Sequence, residues 1–372
     1  MSSSFQSVPV LDYSLSLSSD TKPGFLEQLQ YALLEVGFLY IKNTNIDDEL
    51  IQKVISLGKA FFDLPEEEKL RLEMKNSPHF LGYSRLGNEI TKHKTDWREQ
   101  IDLATELPAP EPTEPRYRLL RGPNQWPSES LLPGFRDTYT TYMNQMTDLS
   151  TRFVSLIAEA IGLPPNAFDK FFWQDPKRRK QDKLKIVKYP DVATLPSGSG
   201  SGTETQGVGP HKDSMLSSYL LQATNHRGLQ VQNVAGEWIE CPPIPGTFVV
   251  AIGQGLEAMT GGVCVATTHR VLSPPAGSGA RFSIPFFQGV SYDTNFEDMD
   301  VPEDVKALKR DVQRSANAGE SVEMTFKKER YETLGQATLM NRIKSHQDVG
   351  EKFYPDLLTV VREMVAKEQE AR

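Results

Sequence analysis

The sequence predicts an α+β fold, a sandwich or jelly roll of short strands wrapped by helices. Between Gly209 and Phe287 the chain breaks into short β-type pieces separated by glycine, proline and asparagine, the punctuation of stacked antiparallel sheets. On either side of this stretch apolar residues recur at helical spacing, and no internal repeat is visible.

Taken in order, Val8 to Tyr13 alternates as a short strand, and Gly24 to Glu35 carries Phe25, Leu29, Leu33 and Leu34 on one helical face. A β-type run, Gly37 to Lys42, precedes Asp47, which is placed to cap a helix running past Leu57 to Phe62. Pro65 and the acids after it suit the first turn of another helix. Thr105 to Pro133, rich in proline and charge, reads as an extended connector rather than a packed element. Tyr142, Met146, Leu149, Phe153 and Ile157 then mark the buried stripe of a helix over Tyr139 to Ile161. Lys183 to Tyr189 alternates strictly and predicts a strand. Pro196 to Gln206 reads as a flexible Gly/Ser surface loop beside the site that follows. Strands are expected over Met215–Gln222, Gly228–Asn233, Trp238–Glu240, Thr247–Ile252, Thr267–Leu272 and Phe282–Phe287, and helices from Glu303 to the stretch Gly350–Glu370.

With 372 residues the chain is long enough for one large β-rich domain or two ordinary ones. The net charge of −8 gives no basic footprint for nucleic acid or anionic lipid, so a small-molecule partner is expected. Cys241 and Cys264 are too few for a disulfide framework or a four-cysteine zinc site, which points to a reducing compartment. The first residues lack a leader pattern, and no apolar run reaches the roughly 18 residues a membrane span requires. The expectation is a cytoplasmic protein, monomeric, with no nucleic-acid or membrane partner.

His211-Lys212-Asp213 puts two metal-ligating side chains on one face of an extended segment. His269, on a later β-type run, is placed to return as a third ligand. Two histidines and a carboxylate with open opposite positions suit non-haem iron(II), but they also suit a catalytic zinc. His79, His93, His226 and His346 have no carboxylate at comparable spacing and read as structural or exposed. Arg281-Phe282-Ser283 puts a guanidinium and a hydroxyl on one strand face among aromatic neighbours, a pair fitted to the far carboxylate of a dicarboxylic keto acid.

Together these residues resemble the iron(II)/2-oxoglutarate dioxygenase superfamily, in the branch of isopenicillin N synthase and the soluble plant and fungal enzymes. The resemblance rests on Gly37-Phe-Leu-Tyr-Ile-Lys, Phe62-Asp-Leu-Pro, Gly82-Tyr-Ser, Asp96-Trp-Arg-Glu, Leu184-Lys-Ile-Val-Lys-Tyr-Pro, His211-Lys-Asp213, Gly228-Leu-Gln-Val-Gln, Thr268-His-Arg-Val and Arg281-Phe-Ser283, in order. The stretch Asn341 to Pro355 is similar to fungal members. The resemblance implies a double-stranded β-helix, a distorted jelly roll, in a single catalytic domain over 1–372. Its parts would be a helix-rich region to about residue 180, a core over about 181–290 and a helical end from about 300. It implies that His211, Asp213 and His269 bind Fe(II) and act in catalysis, that Arg281, Ser283 and Tyr189 bind 2-oxoglutarate, and that O2 is consumed. Tyr83, Arg85 and Phe286 would line the substrate pocket, while Arg98 is left among the fold's ion pairs. Where relatives carry asparagine this chain has Val187, which removes one polar contact to the co-substrate, and its Gly/Ser linker is long. The product would be a hydroxylated, desaturated or cyclised small molecule, with succinate and CO2 released. The competing readings are ethylene-forming fragmentation of 2-oxoglutarate, synthase chemistry without it, zinc hydrolysis and a non-catalytic jelly-roll binding module.

Overall fold

Strand alternation needs two apolar layers to bury against, and the chain supplies both. The computed structural model describes residues 4–91, 94–172, 180–196, 205–295, 301–310 and 331–370. It begins with β1 (Val10–Asp12), α1 (Lys22–Tyr31), β2 (Phe38–Lys42), α2 (Asp48–Phe62) and α3 (Glu66–Arg71). The Asp47 carboxylate accepts from the Glu49 amide at the start of α2, as a short acidic cap should. Gly37, at φ 70°, turns the end of the first helical segment into β2; a Cβ there would overlap Thr267 and the carbonyl of Val265.

The chain continues through β3 (Gly82–Ser84), β4 (Glu89–Thr91), β5 (Lys94–Asp96), β6 (Glu99–Ala104), α4 (Phe135–Ala160), β7 (Lys183–Tyr189), β8 (Gln206–His211), β9 (Ser217–Gln222), β10 (Leu229–Gln232), β11 (Trp238–Glu240), β12 (Thr247–Ile252), α5 (Gln254–Met259), β13 (His269–Leu272) and β14 (Arg281–Gln288). It ends with α6 (Glu303–Arg310), α7 (Leu334–Ser345), α8 (Gln347–Phe353) and α9 (Pro355–Glu370). The major sheet has the order β1-β2-β12-β9-β14-β7-β6-β3 and the minor sheet β11-β10-β13-β8, with β4-β5 as a separate ribbon. Among the described strands, only β1 and β2 pair in parallel. Phe38, Val187, Val249 and Ala251 of the major sheet meet Val208, Leu229, Val231 and Val271 of the minor sheet in one apolar layer. On its outer face the major sheet buries Ile101, Ile186, Tyr219, Val250 and Phe286 against α1, α2 and α4. This is the jelly roll wrapped by helices.

The strands expected at Lys183–Tyr189, Trp238–Glu240 and Thr247–Ile252 form with those bounds, and the others shift by one or two residues. β3 and β6 extend the major sheet without a hydrophobic signal in the sequence. Gln100 and Asp102 of β6 pair across the sheet with Val187 and Lys185, and the Gln100 Nε2 donates to Asp102 Oδ2 at 2.7 Å. The connector Thr105 to Pro133 is more tightly held than its composition suggests, since Leu120, Arg121 and Leu132 are buried in it. Most of the Gly/Ser linker, 197–204, lies outside the described residues, as does His93.

Phe153 of α4 is fully buried, with its ring edge-on to Tyr219 of β9 at 6.1 Å. Phe153→Ala is therefore expected to cost about 3–5 kcal/mol of stability in equilibrium denaturation. A cost below about 1 kcal/mol would contradict docking of α4 on the sheet.

Candidate active site

Antiparallel pairing of β13 with β8 sets His269 directly across from His211, their ring centroids 4.2 Å apart. Asp213 lies two residues beyond β8, and its Oδ1 stands 3.7 Å from the Nε2 of each histidine. One ligand atom from each of the three side chains lies within 4.8 Å of the others. This spacing accommodates one ion between them.

The surroundings orient each ligand. His211 Nδ1 lies 2.8 Å from the Gly209 carbonyl and His269 Nδ1 3.1 Å from that of Thr267. Those carbonyls accept only from an Nδ1–H, which in the neutral ring makes Nε2 the free lone pair and directs it inward. The Ser218 hydroxyl donates to Asp213 Oδ2 at 2.6 Å, turning Oδ1 toward the histidines. Burial, and then the neighbouring His269, push His211 down to about 3, so the imidazole is neutral as a metal ligand must be. Behind the site the Gln254 amide donates to the Asp213 carbonyl at 2.7 Å. A Cβ on Gly253 would overlap the Met215 carbonyl, so this close approach requires glycine.

The second half of the site lies on the paired strands β7 and β14, where Arg281 is opposite Tyr189 and Ser283 opposite Val187. Arg281 is only 1 % exposed, and burial depresses its pKa. Its Nη2 donates to Gln222 at 3.2 Å and its guanidinium lies 5.0 Å from the Tyr189 ring centroid. Its Nη1 is buried without a partner. A buried cation with an unused donor calls for an anion. Both halves line one cavity of about 420 Å3, whose wall includes Phe38, Val187, Ser218, Leu229 and Pro285.

Residues 182–290 match the family described as the 2OG-Fe(II) oxygenase superfamily, and residues 8–129 match the family described as non-haem dioxygenase in morphine synthesis N-terminal. Over 368 residues the chain is 61 % identical to the 2-oxoglutarate-dependent dioxygenase frbJ of Dothideomycetidae sp. (strain 11243), covering 98 % of this chain and 97 % of that one. The chain belongs to the 2OG-Fe(II) oxygenase superfamily. A more distant member, homoarginine-6-hydroxylase 2-ODD-C23 of Glycine max, is 34 % identical, with 81 % of this chain and 90 % of the relative covered. Among solved structures, a 2OG-Fe(II) oxygenase family protein from Caulobacter crescentus is 26 % identical with a TM-score of 0.65, covering 79 % of this chain and 90 % of that one.

As a member of this superfamily the protein is a dioxygenase that uses iron(II) and 2-oxoglutarate and acts on a small molecule. Its donor set suits that metal: two imidazoles and a carboxylate on one side, with an open cavity on the other. Val187 presents an apolar surface in the cavity.

The oxygenase's three expected substrate contacts are not brought to this cavity. Tyr83 is buried in the outer core layer, where its hydroxyl donates to Glu99 at 2.7 Å. Phe286 points from β14 into the same layer, because it alternates with the cavity-facing Pro285 and Phe287. Arg85 forms an ion pair with Glu73 at the surface. Arg98, by contrast, lines the cavity while pairing with Glu89. The sequence signal for Arg98 is its alternation with Gln100 and Asp102 as the chain enters β6. Lys212, between the two proximal ligands, is paired with Glu257 at 3.3 Å. His79 bonds the Leu119 carbonyl, His226 bonds Thr224 and the Ser278 carbonyl, and His346 lies buried beside Glu89, all away from the triad.

Ser218 offers a direct check on this arrangement. Ser218→Ala frees the Asp213 carboxylate to rotate and is expected to weaken iron(II) binding about ten- to hundredfold in a chelator competition assay. Unchanged affinity would show that Asp213 is held by other contacts.

Proposed function

We propose that His211, Asp213 and His269 hold the iron, that Arg281 and Ser283 hold the far carboxylate of 2-oxoglutarate with Tyr189 adding a hydrogen bond to the co-substrate, and that the enzyme hydroxylates, desaturates or cyclises a small organic molecule. The observation that carries the reading is Arg281, a fully buried guanidinium with an unpartnered Nη1 in the same cavity as the triad. Bound iron and 2-oxoglutarate supply an oxidant able to take hydrogen from an unactivated C–H bond, with succinate and CO2 released. The chain's residues supply position. Arg281 and Ser283 present donors from one strand face, and the Tyr189 ring packs against the guanidinium and limits its rotation. Phe38, Val187 and Leu229 surround the remaining volume with apolar groups that keep water from the reacting carbon.

Hydroxylation is the outcome best supported, because a relative covering most of this chain is named for hydroxylating homoarginine. The same reading takes the whole chain as one catalytic unit, because β1, β2, β3 and β6 from the N-terminal part complete the major sheet and α7 from the C-terminal part closes the cavity. It places that unit in the cytoplasm as a monomer. Cys241 and Cys264 are free and buried, and among the described residues no helix is long and apolar enough to cross a membrane.

Anaerobic addition of iron(II) and 2-oxoglutarate to the metal-free protein should produce the weak visible charge-transfer band of the chelate. His269→Ala should abolish it. Arg281→Ala should raise the Kd for 2-oxoglutarate about thirtyfold or more, the cost of leaving one partner of a buried charge pair alone. Iron binding without the band in the wild type would refute the co-substrate assignment.

A further inference from the structure

Side chains along β6 and β7 divide the cavity wall by charge. Alternation turns Lys183, Lys185, Val187 and Tyr189 of β7 to the cavity, and register places Asp102 opposite Lys185 and Gln100 opposite Val187. Lys185 stands four residues from Tyr189, roughly 13 Å along the strand. That is too far for a five-carbon co-substrate anchored at Arg281 to reach. Here α7 covers the cavity, contributing Thr338, Asn341 and Arg342.

Five cationic side chains line this part of the wall: Arg98, Lys183, Lys185, Arg342 and Lys344. Three carboxylates stand against them. Glu89 pairs with Arg98, Asp102 lies 3.0 Å from Lys185 and 3.8 Å from Arg342, and Asp96 lies 3.7 Å from Arg98. Asp96 is also held by Thr91, Gln206 and the Gly209 amide. Lys183 donates to the neutral oxygens of Leu120 and Gln181 at 2.9 and 3.1 Å. Burial, and then Arg342, push its ammonium down to about 7, so an added anion would stabilise its charged form. Among the described residues, the buried side-chain atoms of the cavity wall that lack partners are Arg281 Nη1, Arg98 Nε and Asn341 Nδ2, and all three are donors. Arg281 Nη1 belongs to the co-substrate end, which leaves the other two for a different acceptor.

We propose that the primary substrate carries a carboxylate and that Arg98, Lys183, Lys185 and Arg342, with Asn341 from α7, form its docking wall. The wall's guanidinium and ammonium groups and its unpartnered N–H groups match the oxygens of a carboxylate. The proposal rests on the oxygenase reading of the cavity and adds the substrate class to it. Arg342 and Lys185 are the specificity-determining residues on this account. Among the described residues, the Arg342 guanidinium is tied to the rest of the fold by its long contacts with Asp102 and, at 3.4 Å, His346, so it is replaceable without loss of the core.

The test is anaerobic calorimetry on the protein loaded with iron(II) and 2-oxoglutarate. The probes are L-homoarginine, L-lysine, L-leucine, hexanoate and phenylacetate, each paired with its primary amide. At least one acid should bind at least about tenfold more tightly than its amide. Arg342→Gln and Lys185→Gln should each erode that preference while the chelate band persists, which also reports an intact fold. An amide that binds as well as its acid, a preference untouched by both substitutions, or no acid binding with the band intact would each overturn the proposal. Absence of the band from the wild type would instead bring down the oxygenase reading beneath it.

Discussion

Pairing of β7 with β14, extended by β6, sets the direction of every side chain on one wall of the cavity. Because neighbours along a strand face opposite ways, a shift of one residue would bury Lys183, Lys185 and Arg281 in the apolar layer under α4 and turn Ile186 and Phe286 to the cavity. Three buried charges with no counterpart in an apolar layer cost far more than the fold's net stability, so the register has no competitor. The Arg281–Tyr189 and Ser283–Val187 pairs and the Asp102–Lys185 pair are consequences of that single alignment.

The triad of His211, Asp213 and His269 is held by a similar economy of parts. Cross-strand pairing delivers the two histidines, backbone carbonyls select their tautomer, and one serine orients the carboxylate. Asp96 links the two walls. It accepts from the Gly209 amide and Gln206 of β8, while Arg98, two residues on, lies in the cavity. The Asp-Trp-Arg-Glu landmark thus ties the strand bearing His211 to the region that meets substrate.

The layers and the two polar pairs were legible in the sequence because each declares itself locally. Alternation marks β7, and His-x-Asp and Arg-x-Ser each put two polar groups on one strand face. What stayed hidden depends on partners distant in the chain. Ser218 is an unremarkable serine until β9 carries it beside Asp213. β6 is obscured because polar Gln100 and Asp102 alternate with its core residues Ile101 and Leu103, so its period resembles solvent-facing polarity although all four are buried. Position in the family's motifs implies that Tyr83 and Phe286 are pocket residues, yet the same alternation that turns Phe287 inward turns Phe286 away. The long Thr105–Pro133 connector hid its anchors because Leu120 and Arg121 are isolated from any periodic run.

α7 differs from the rest of the cavity wall in origin. His211, His269 and Arg281 belong to the sheets, whose register tolerates almost no change, whereas Asn341 and Arg342 ride on a helix set by its Thr333 capping box and by packing of Leu339 and Ile343. Helix surface positions accept substitution without altering sheet pairing. A lineage descending from this enzyme is therefore free to exchange one acid for another, or for a neutral molecule, by drift in a few α7 side chains while its oxidative chemistry stays untouched. Divergence in what is oxidised and conservation in how it is oxidised would then fall in separate parts of the same chain.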